Sequence, residues 1–221
     1  MIRTEDLGVN NLKVLQDDEG YCFTSDSVLL ARFAKPKMGD VVADFCSGSG
    51  IVGFYYYGLN CQTVSSLTFF ELQTSLYSLS VKSIELNGLS DKVNAVNTRL
   101  QDIDNEYAGK FSLILCNPPY MAKDAGALDK DYNVAICRRE VELSLEELIT
   151  AISRCLKYGG RTAIVHRADR LADVICCMRA HGIEPKRVQF VKSGDKEPYL
   201  LLIEGVKGGK SGMRVMKVME N

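Results

Sequence analysis

The stretch VVADFCSGSGI, residues 41–51, decides how the rest of the chain is read. Five residues that suit a short buried strand (41–45) run into the turn CSGSG (46–50), and an apolar helical run, IVGFYYY (51–57), follows. A strand feeding a helix through a glycine turn opens a parallel βαβ unit. The same alternation spreads in both directions. Upstream, DSVLLARFA (26–34) reads as a helix, with Asp26 placed to cap its start and Lys35-Pro36-Lys37 breaking its end. Downstream, TVSSLTFFE (63–71) is a strand and SLYSLSVKSIELNGL (75–89) an amphipathic helix stopped at Asn87-Gly88. KVNAV (92–96) and FSLILC (111–116) are strands. SLEELITAISRCLKYGG (144–160) reads as a helix with a glycine stop, RTAIVH (161–166) as a strand, and RLADVICCMRAHG (170–182) as a second glycine-stopped helix.

Helices between strands predict an α/β fold with a mostly parallel sheet covered on both faces. The last two strands, RVQFV (187–191) and YLLLIEG (199–205), have only a polar turn between them, so one strand runs reversed. Seven strands with one antiparallel member is the expected sheet. The chain of 221 residues, 46% hydrophobic and 25% charged, suits one generous soluble domain. No apolar run is long enough to span a membrane, and Met1-Ile2-Arg3-Thr4-Glu5-Asp6 does not begin a signal peptide. The eight cysteines include no C-x-x-C pair, and His166 and His181 show no ligand-like spacing. These features predict reduced thiols in a cytoplasmic protein without a metal. Net charge is −1, yet residues 151–221 hold 14 Lys/Arg against 7 Asp/Glu, a basic end that suits phosphates locally.

In such sheets ligands bind beyond the carboxyl ends of the strands. Gly48 and Gly50 allow close backbone approach there, while Cys46 stands where a dinucleotide fingerprint would have its first glycine. The preceding Asp44 would repel a pyrophosphate and suits a cationic ligand instead. Glu71, 27 residues after Asp44, ends the second strand where an acid can hold ribose hydroxyls. Together these favour a nucleoside cofactor with no diphosphate, such as S-adenosylmethionine. At the end of the fourth strand, LILCNPPY (113–120) stops the ladder with two prolines, neither of which has an N–H to donate. An amine conjugated to a π system is a poor nucleophile, and paired acceptors on its N–H groups favour the pyramidal transition state. The Asn117 side-chain carbonyl and the Pro118 backbone carbonyl are the candidate acceptors. Tyr120 can stack on a flat substrate, worth about 1–3 kcal/mol for a base.

Asp44-x-Cys46-x-Gly48-x-Gly50 followed by Asn117-Pro118-Pro119-Tyr120 resembles the class I amino methyltransferases that use S-adenosylmethionine. LKVLQDDEGYCFTSDSVLLARFA (12–34) and LLIEGVKGGKSGMRV (201–215) look like the bacterial YfiC-like enzymes that methylate N6 of adenine 37 in a valine transfer RNA. The resemblance implies a Rossmann-like methyltransferase domain over 41–221, preceded by a segment, 1–40, that packs over the cofactor. It implies that Asp44, Cys46, Gly48, Gly50, Asn117 and Glu71 contact the cofactor, with Phe23, Thr24 and Asp26 covering it. Asn117, Pro118 and Tyr120 would then take the target amine. Relatives usually hold the cofactor's adenine with an acid after the third strand; here Arg99 stands near that place and Asp102 three residues later. The motif is shared with glutamine methyltransferases that act on release factors and with DNA adenine enzymes. The first of these usually carry a separate N-terminal domain. The partner implied is tRNA, and nothing in the sequence demands a dimer. Lys123, Lys130, Arg138 and Arg139 in the polar stretch 121–140, and Arg161, Arg167, Arg170, Lys186, Arg187 and Lys192 further on, are candidate phosphate contacts. Tyr55-Tyr56-Tyr57 covers half a helical turn, so at least one ring is expected to face outward.

Overall fold

Runs that a strand can bury on two faces alternate with helices that have one apolar stripe, and this alternation sets the elements. The computed structural model of the chain describes residues 1–17, 25–119 and 143–221. In chain order, Ile2–Asp6 (β1) and Lys13–Asp17 (β2) pair as an antiparallel hairpin, and Ser25–Phe33 (α1) precedes Asp40–Phe45 (β3). Then come Ile51–Asn60 (α2), Val64–Glu71 (β4), Thr74–Leu86 (α3), Val93–Asn97 (β5) and Phe111–Cys116 (β6). Leu145–Cys155 (α4), Leu156–Arg167 (β7), Leu171–Ala180 (α5), Ile183–Lys192 (β8) and Leu200–Lys207 (β9) complete the main body.

The sheet runs β5-β4-β3-β6-β7-β9-β8. It is parallel from β5 through β7, and β9 lies antiparallel to both β7 and β8. Seven long strands with one reversed is therefore the architecture. Two short edge strands, Arg214–Val215 (β10) and Met219–Glu220 (β11), add to β8. Strand order reverses at β3, which has β4 on one side and β6 on the other. The chain therefore leaves the ends of β3 and β6 in opposite directions and opens a crevice between them. Residues of α1, α2 and α3 pack with Val42, Leu67 and Leu113 on one face, and those of α4 and α5 with Phe45, Ile114 and Ile164 on the other.

Three expectations are corrected. The helix expected over 144–160 ends at Cys155, and the Leu156-Lys157-Tyr158-Gly159-Gly160 run belongs to β7. Its N-terminus is held by a capping box between Ser144 and Glu147. At the other end, Leu156 turns extended and pairs with Phe111, and pairing resumes at Arg161 opposite Leu113. The glycines thus make a bulge in the strand, with Gly159 at φ 74°. A Cβ on Gly160 would lie 2.8 Å from the Lys157 carbonyl oxygen.

Second, all three tyrosines of 55–57 are buried, at 6%, 0% and 5% exposure. The N-terminal segment covers the outer side of α2: Arg32 on α1 donates to the Tyr55 hydroxyl at 2.6 Å, and Val9 and Leu12 press against Gly58. Third, Arg161 is no surface contact. It is buried and forms an ion pair with Asp40 at 2.7 Å, and Asp40 also accepts from Ser112 Oγ at 2.7 Å. Arg187 likewise forms an ion pair with Glu204 at 2.7 Å and stacks on Phe33. The stretch 121–140, with its Lys123, Lys130, Arg138 and Arg139, lies outside the described residues.

Candidate active site

Strand β3 ends at Phe45, and the next residue, Cys46, takes a left-handed φ of 57° at the position where the fingerprint has glycine. Gly48 at 57° and Gly50 at 92° complete the turn, so three residues in five adopt a conformation that favours glycine. Each glycine has its own reason to lack a side chain. A Cβ on Gly48 would meet no atom of the described residues, because it would project into the crevice, whereas one on Gly50 would sit 2.9 Å from the Phe54 ring. A Cβ on Gly53, one turn into α2, would collide with the Phe69 ring. Its absence lets the Gly53 N–H reach Asp44 Oδ2 at 2.8 Å.

The turn and the crevice form a cleft with about 930 Å³ of atom-free space, open to solvent. Glu71, at the end of β4, is buried in its wall and binds the turn: Oε2 accepts from the Gly48 N–H at 2.7 Å and Oε1 from the Gln73 N–H at 2.8 Å. Burial raises its pKa, and those N–H donors limit the rise. Ile51, Phe70, Leu72, Leu76 and Leu100 give the cleft an apolar side. Thr98, Arg99 and Gln101 line it beyond β5.

At the opposite rim, beyond β6, stand Asn117 and Pro119. Asn117 Nδ2 donates to Ser27 Oγ at 3.1 Å, and Ser27 on α1 lines the same cleft. Pro118 is buried beneath the rim, where Pro118, Pro119, Leu145, Leu148 and His166 surround a second, smaller cavity. His166 accepts the Arg167 N–H at Nδ1, 2.9 Å away. Burial, with Arg170 nearby, lowers its pKa to about 4, so the ring is neutral with its proton on Nε2.

The cleft thus brings together Cys46, Gly48, Glu71 and Asn117. Asp44, Gly50, Asp26, Asp102 and Pro118 lie behind or beside its lining. Asp44 is fully buried under the turn; Oδ1 has no partner among the described residues, and burial raises its pKa to about 8. Asp26 is buried in the first turn of α1, and Asp102 is exposed at the end of a short 3₁₀ turn, Leu100–Asp102. Phe23, Thr24 and Tyr120 lie outside the described residues. Ser27, Leu76 and Gln101 line the cleft without having been singled out from the sequence. Ser27 follows Asp26 directly, and Leu76 repeats the apolar spacing of α3, so the first had a neighbour as its signal and the second only a core pattern.

Residues 23–175 match the methyltransferase small domain family. A curated relative from Shewanella putrefaciens, "tRNA1(Val) (adenine(37)-N6)-methyltransferase", is 26% identical over 148 residues, 66% of this chain and 60% of the relative. The chain thus spans about 60% of the length of the curated relatives it matches first. Among solved structures, a predicted O-methyltransferase from Agrobacterium tumefaciens superposes with a TM-score of 0.67 at 15% identity, covering 89% of this chain and 88% of that one. The geranyl diphosphate C-methyltransferase of Streptomyces coelicolor, solved with S-adenosyl-L-homocysteine, gives 0.59 at 13% identity, covering 83% of this chain and 77% of that one. These two likenesses establish a shared class I methyltransferase fold.

Proposed function

The chain belongs to the methyltransferase small domain family, and we propose that it transfers a methyl group from S-adenosylmethionine to N6 of an adenine in tRNA. The adenine at position 37 of a valine tRNA is the target that its curated relatives' name states. The observation that supports this reading is Asn117 at the rim of the cleft across from the glycine turn, with its Nδ2 engaged by Ser27 so that Oδ1 is the amide atom still able to accept.

The cleft suits the cofactor on three counts. Gly48 leaves room where a side chain would intrude, Glu71 places a carboxylate for hydroxyl donors, and the apolar wall of Phe70, Leu72, Leu76 and Leu100 accepts a flat ring. Bound there, the cofactor supplies an electrophilic methyl carbon on a sulfonium. The chain's own residues handle the amine. Asn117 Oδ1 accepts one N–H and the Pro118 carbonyl the other, which draws the nitrogen lone pair out of conjugation and aims it. No strong base is needed, because the nitrogen becomes acidic once alkylated. Tyr120 is assigned to stack on the base. An anticodon-loop adenine is largely unpaired, so extruding it costs less than flipping a base from a duplex. Residues 1–40 serve in this reading as a cover for the cofactor half of the cleft, and a single copy of the chain in the cytoplasm suffices.

Labelled S-adenosylmethionine with unmodified bulk tRNA tests the assignment, with nucleosides resolved by mass spectrometry. The expected result is N6-methyladenosine that disappears with Asn117→Ala. Label in RNA without that nucleoside moves the target. Label in a release-factor protein instead replaces the RNA reading with the glutamine reaction.

A further inference from the structure

Outside the cleft, the helices α4 and α5 bring together three side chains of metal-ligating type: Glu146, Cys177 and His181. Cys177 and His181 lie one helical turn apart, and Glu146 faces them from the first turn of α4. Their ligand atoms all fall within 4.8 Å of one another. Glu146 Oε1 lies 3.1 Å from His181 Nε2, and Glu146 Oε2 lies 3.3 Å from Cys177 Sγ. A tetrahedral ion with bonds of about 2.0–2.3 Å holds its ligand atoms about 3.3–3.8 Å apart, so on binding the short Glu146 contacts widen by a few tenths of an ångström and any pair near the 4.8 Å limit closes by about an ångström, through side-chain rotation.

The orientation of the imidazole is the second, independent observation. Its Nδ1 faces the Cys177 backbone carbonyl at 2.9 Å, so Nδ1 carries a proton and donates there. Metal-binding histidines are held in this way, with the far nitrogen on a carbonyl. The lone pair of Nε2 then meets a carboxylate oxygen and, at 3.1 Å, the Thr150 hydroxyl. That hydroxyl proton is already committed to the Glu146 carbonyl at 2.7 Å. Electron-rich atoms converge on a point that only a proton or a cation can occupy.

We propose that Glu146, Cys177 and His181 bind a divalent transition ion of the zinc class, with solvent completing a tetrahedron. The ligand set excludes magnesium and calcium, which prefer all-oxygen shells, and favours zinc or a late first-row ion. A bonded cation takes Cys177 as its thiolate, the thiol proton passing to solvent. The Glu146 side chain is 69% exposed, which gives the ion a path from solvent. The site pins the first turn of α4 to α5. Glu147, the next residue, closes the capping box on Ser144, and Leu143 just before it lines the cleft. The ion therefore has a structural task beside the cleft, separate from the methyl transfer proposed above. No cysteine–histidine motif announces the site, because its third ligand lies 31 residues from Cys177.

The test is a cobalt(II) titration of the full chain after chelator treatment. The expected result is one equivalent bound, with a thiolate-to-cobalt charge-transfer band and the strong visible bands of tetrahedral cobalt, both removed by added zinc. Cys177→Ser should remove the charge-transfer band, and His181→Gln should weaken binding by at least about tenfold. Cys176→Ser, next to the site, should change neither. A wild-type protein with only weak octahedral bands overturns the proposal and leaves the position to a charged His181 paired with Glu146. A charge-transfer band that persists in Cys177→Ser, or affinity unchanged in His181→Gln, overturns it as well.

Discussion

An asparagine amide is nearly symmetric in shape, and only its partners decide which end faces a ligand. Asn117 gives its Nδ2 to Ser27, 90 residues away, so Oδ1 remains for the incoming amine. Ser27→Ala removes that partner and costs about 1 kcal/mol of orientation, so kcat should fall about fivefold. Cofactor affinity by calorimetry should stay near the parent value, and Ser27→Thr should restore part of the rate. A kcat unchanged in Ser27→Ala would mean the amide is held by something else. Asp44 makes a second prediction. Its folded pKa of about 8 lies far above that of an exposed aspartate, so its contribution to stability is complete below pH ~4 and is lost as pH rises through about 8. In the cofactor-free protein the melting temperature should fall over that window, and the fall should be shallower in Asp44→Asn, which keeps an acceptor for the Gly53 N–H. Equal slopes in both would remove Asp44 as the cause. Asn117 and the glycine turn were legible because prolines that fix the backbone and glycines that free it mark them in the sequence. Ser27 was not, because a helical serine looks the same whether or not a distant loop folds against it.

Elements were legible where composition punctuates them. The strand FSLILC (111–116) and the helix stop at Asn87-Gly88, with Gly88 at φ 62°, stand where the sequence puts them. The bulge at Lys157–Gly160 was not legible, because a helix stop and a bulged strand ask the same thing of glycine. Pairing with β6 decides between them, and that is a tertiary contact. The N-terminal hairpin carried a weak signal in Gly8, Asn10 and Asn11, all at positive φ between β1 and β2. The bulge also delivers Arg161 to Asp40 under α1, where the Lys35 carbonyl accepts from the same guanidinium. Arg161→Ala leaves a buried carboxylate without its counter-charge and should cost about 3–5 kcal/mol in urea denaturation. A change below about 1 kcal/mol, in the range of an exposed pair, would contradict this burial.

At the scale of the whole molecule, the basic C-terminal third looked from the sequence like one landing surface for RNA, and folding divides it. Arg161 and Arg187 turn inward to ion pairs, while Arg167 pairs with Asp169 at 2.5 Å and Arg170 with Asp173 at 2.6 Å. Among the described residues, one group of basic side chains lies along the sheet edge at β8, where Lys186 bonds the Lys210 carbonyl and Arg214 and Lys217 are exposed on and beside the added strands; Lys157 and Lys196 are exposed elsewhere. Counting charge along a chain cannot make this division, because it depends on which strand faces which acid. If tRNA lies on this edge, Lys186→Glu with Arg214→Glu and Lys217→Glu should weaken binding at low salt. The dependence on salt should flatten by up to about one unit of slope for each phosphate that is no longer neutralised. These substitutions leave the cleft lining untouched, so cofactor affinity should hold while KM for tRNA rises. An unchanged salt slope in the triple variant would move the RNA to another face and leave the methyl-transfer site as it is.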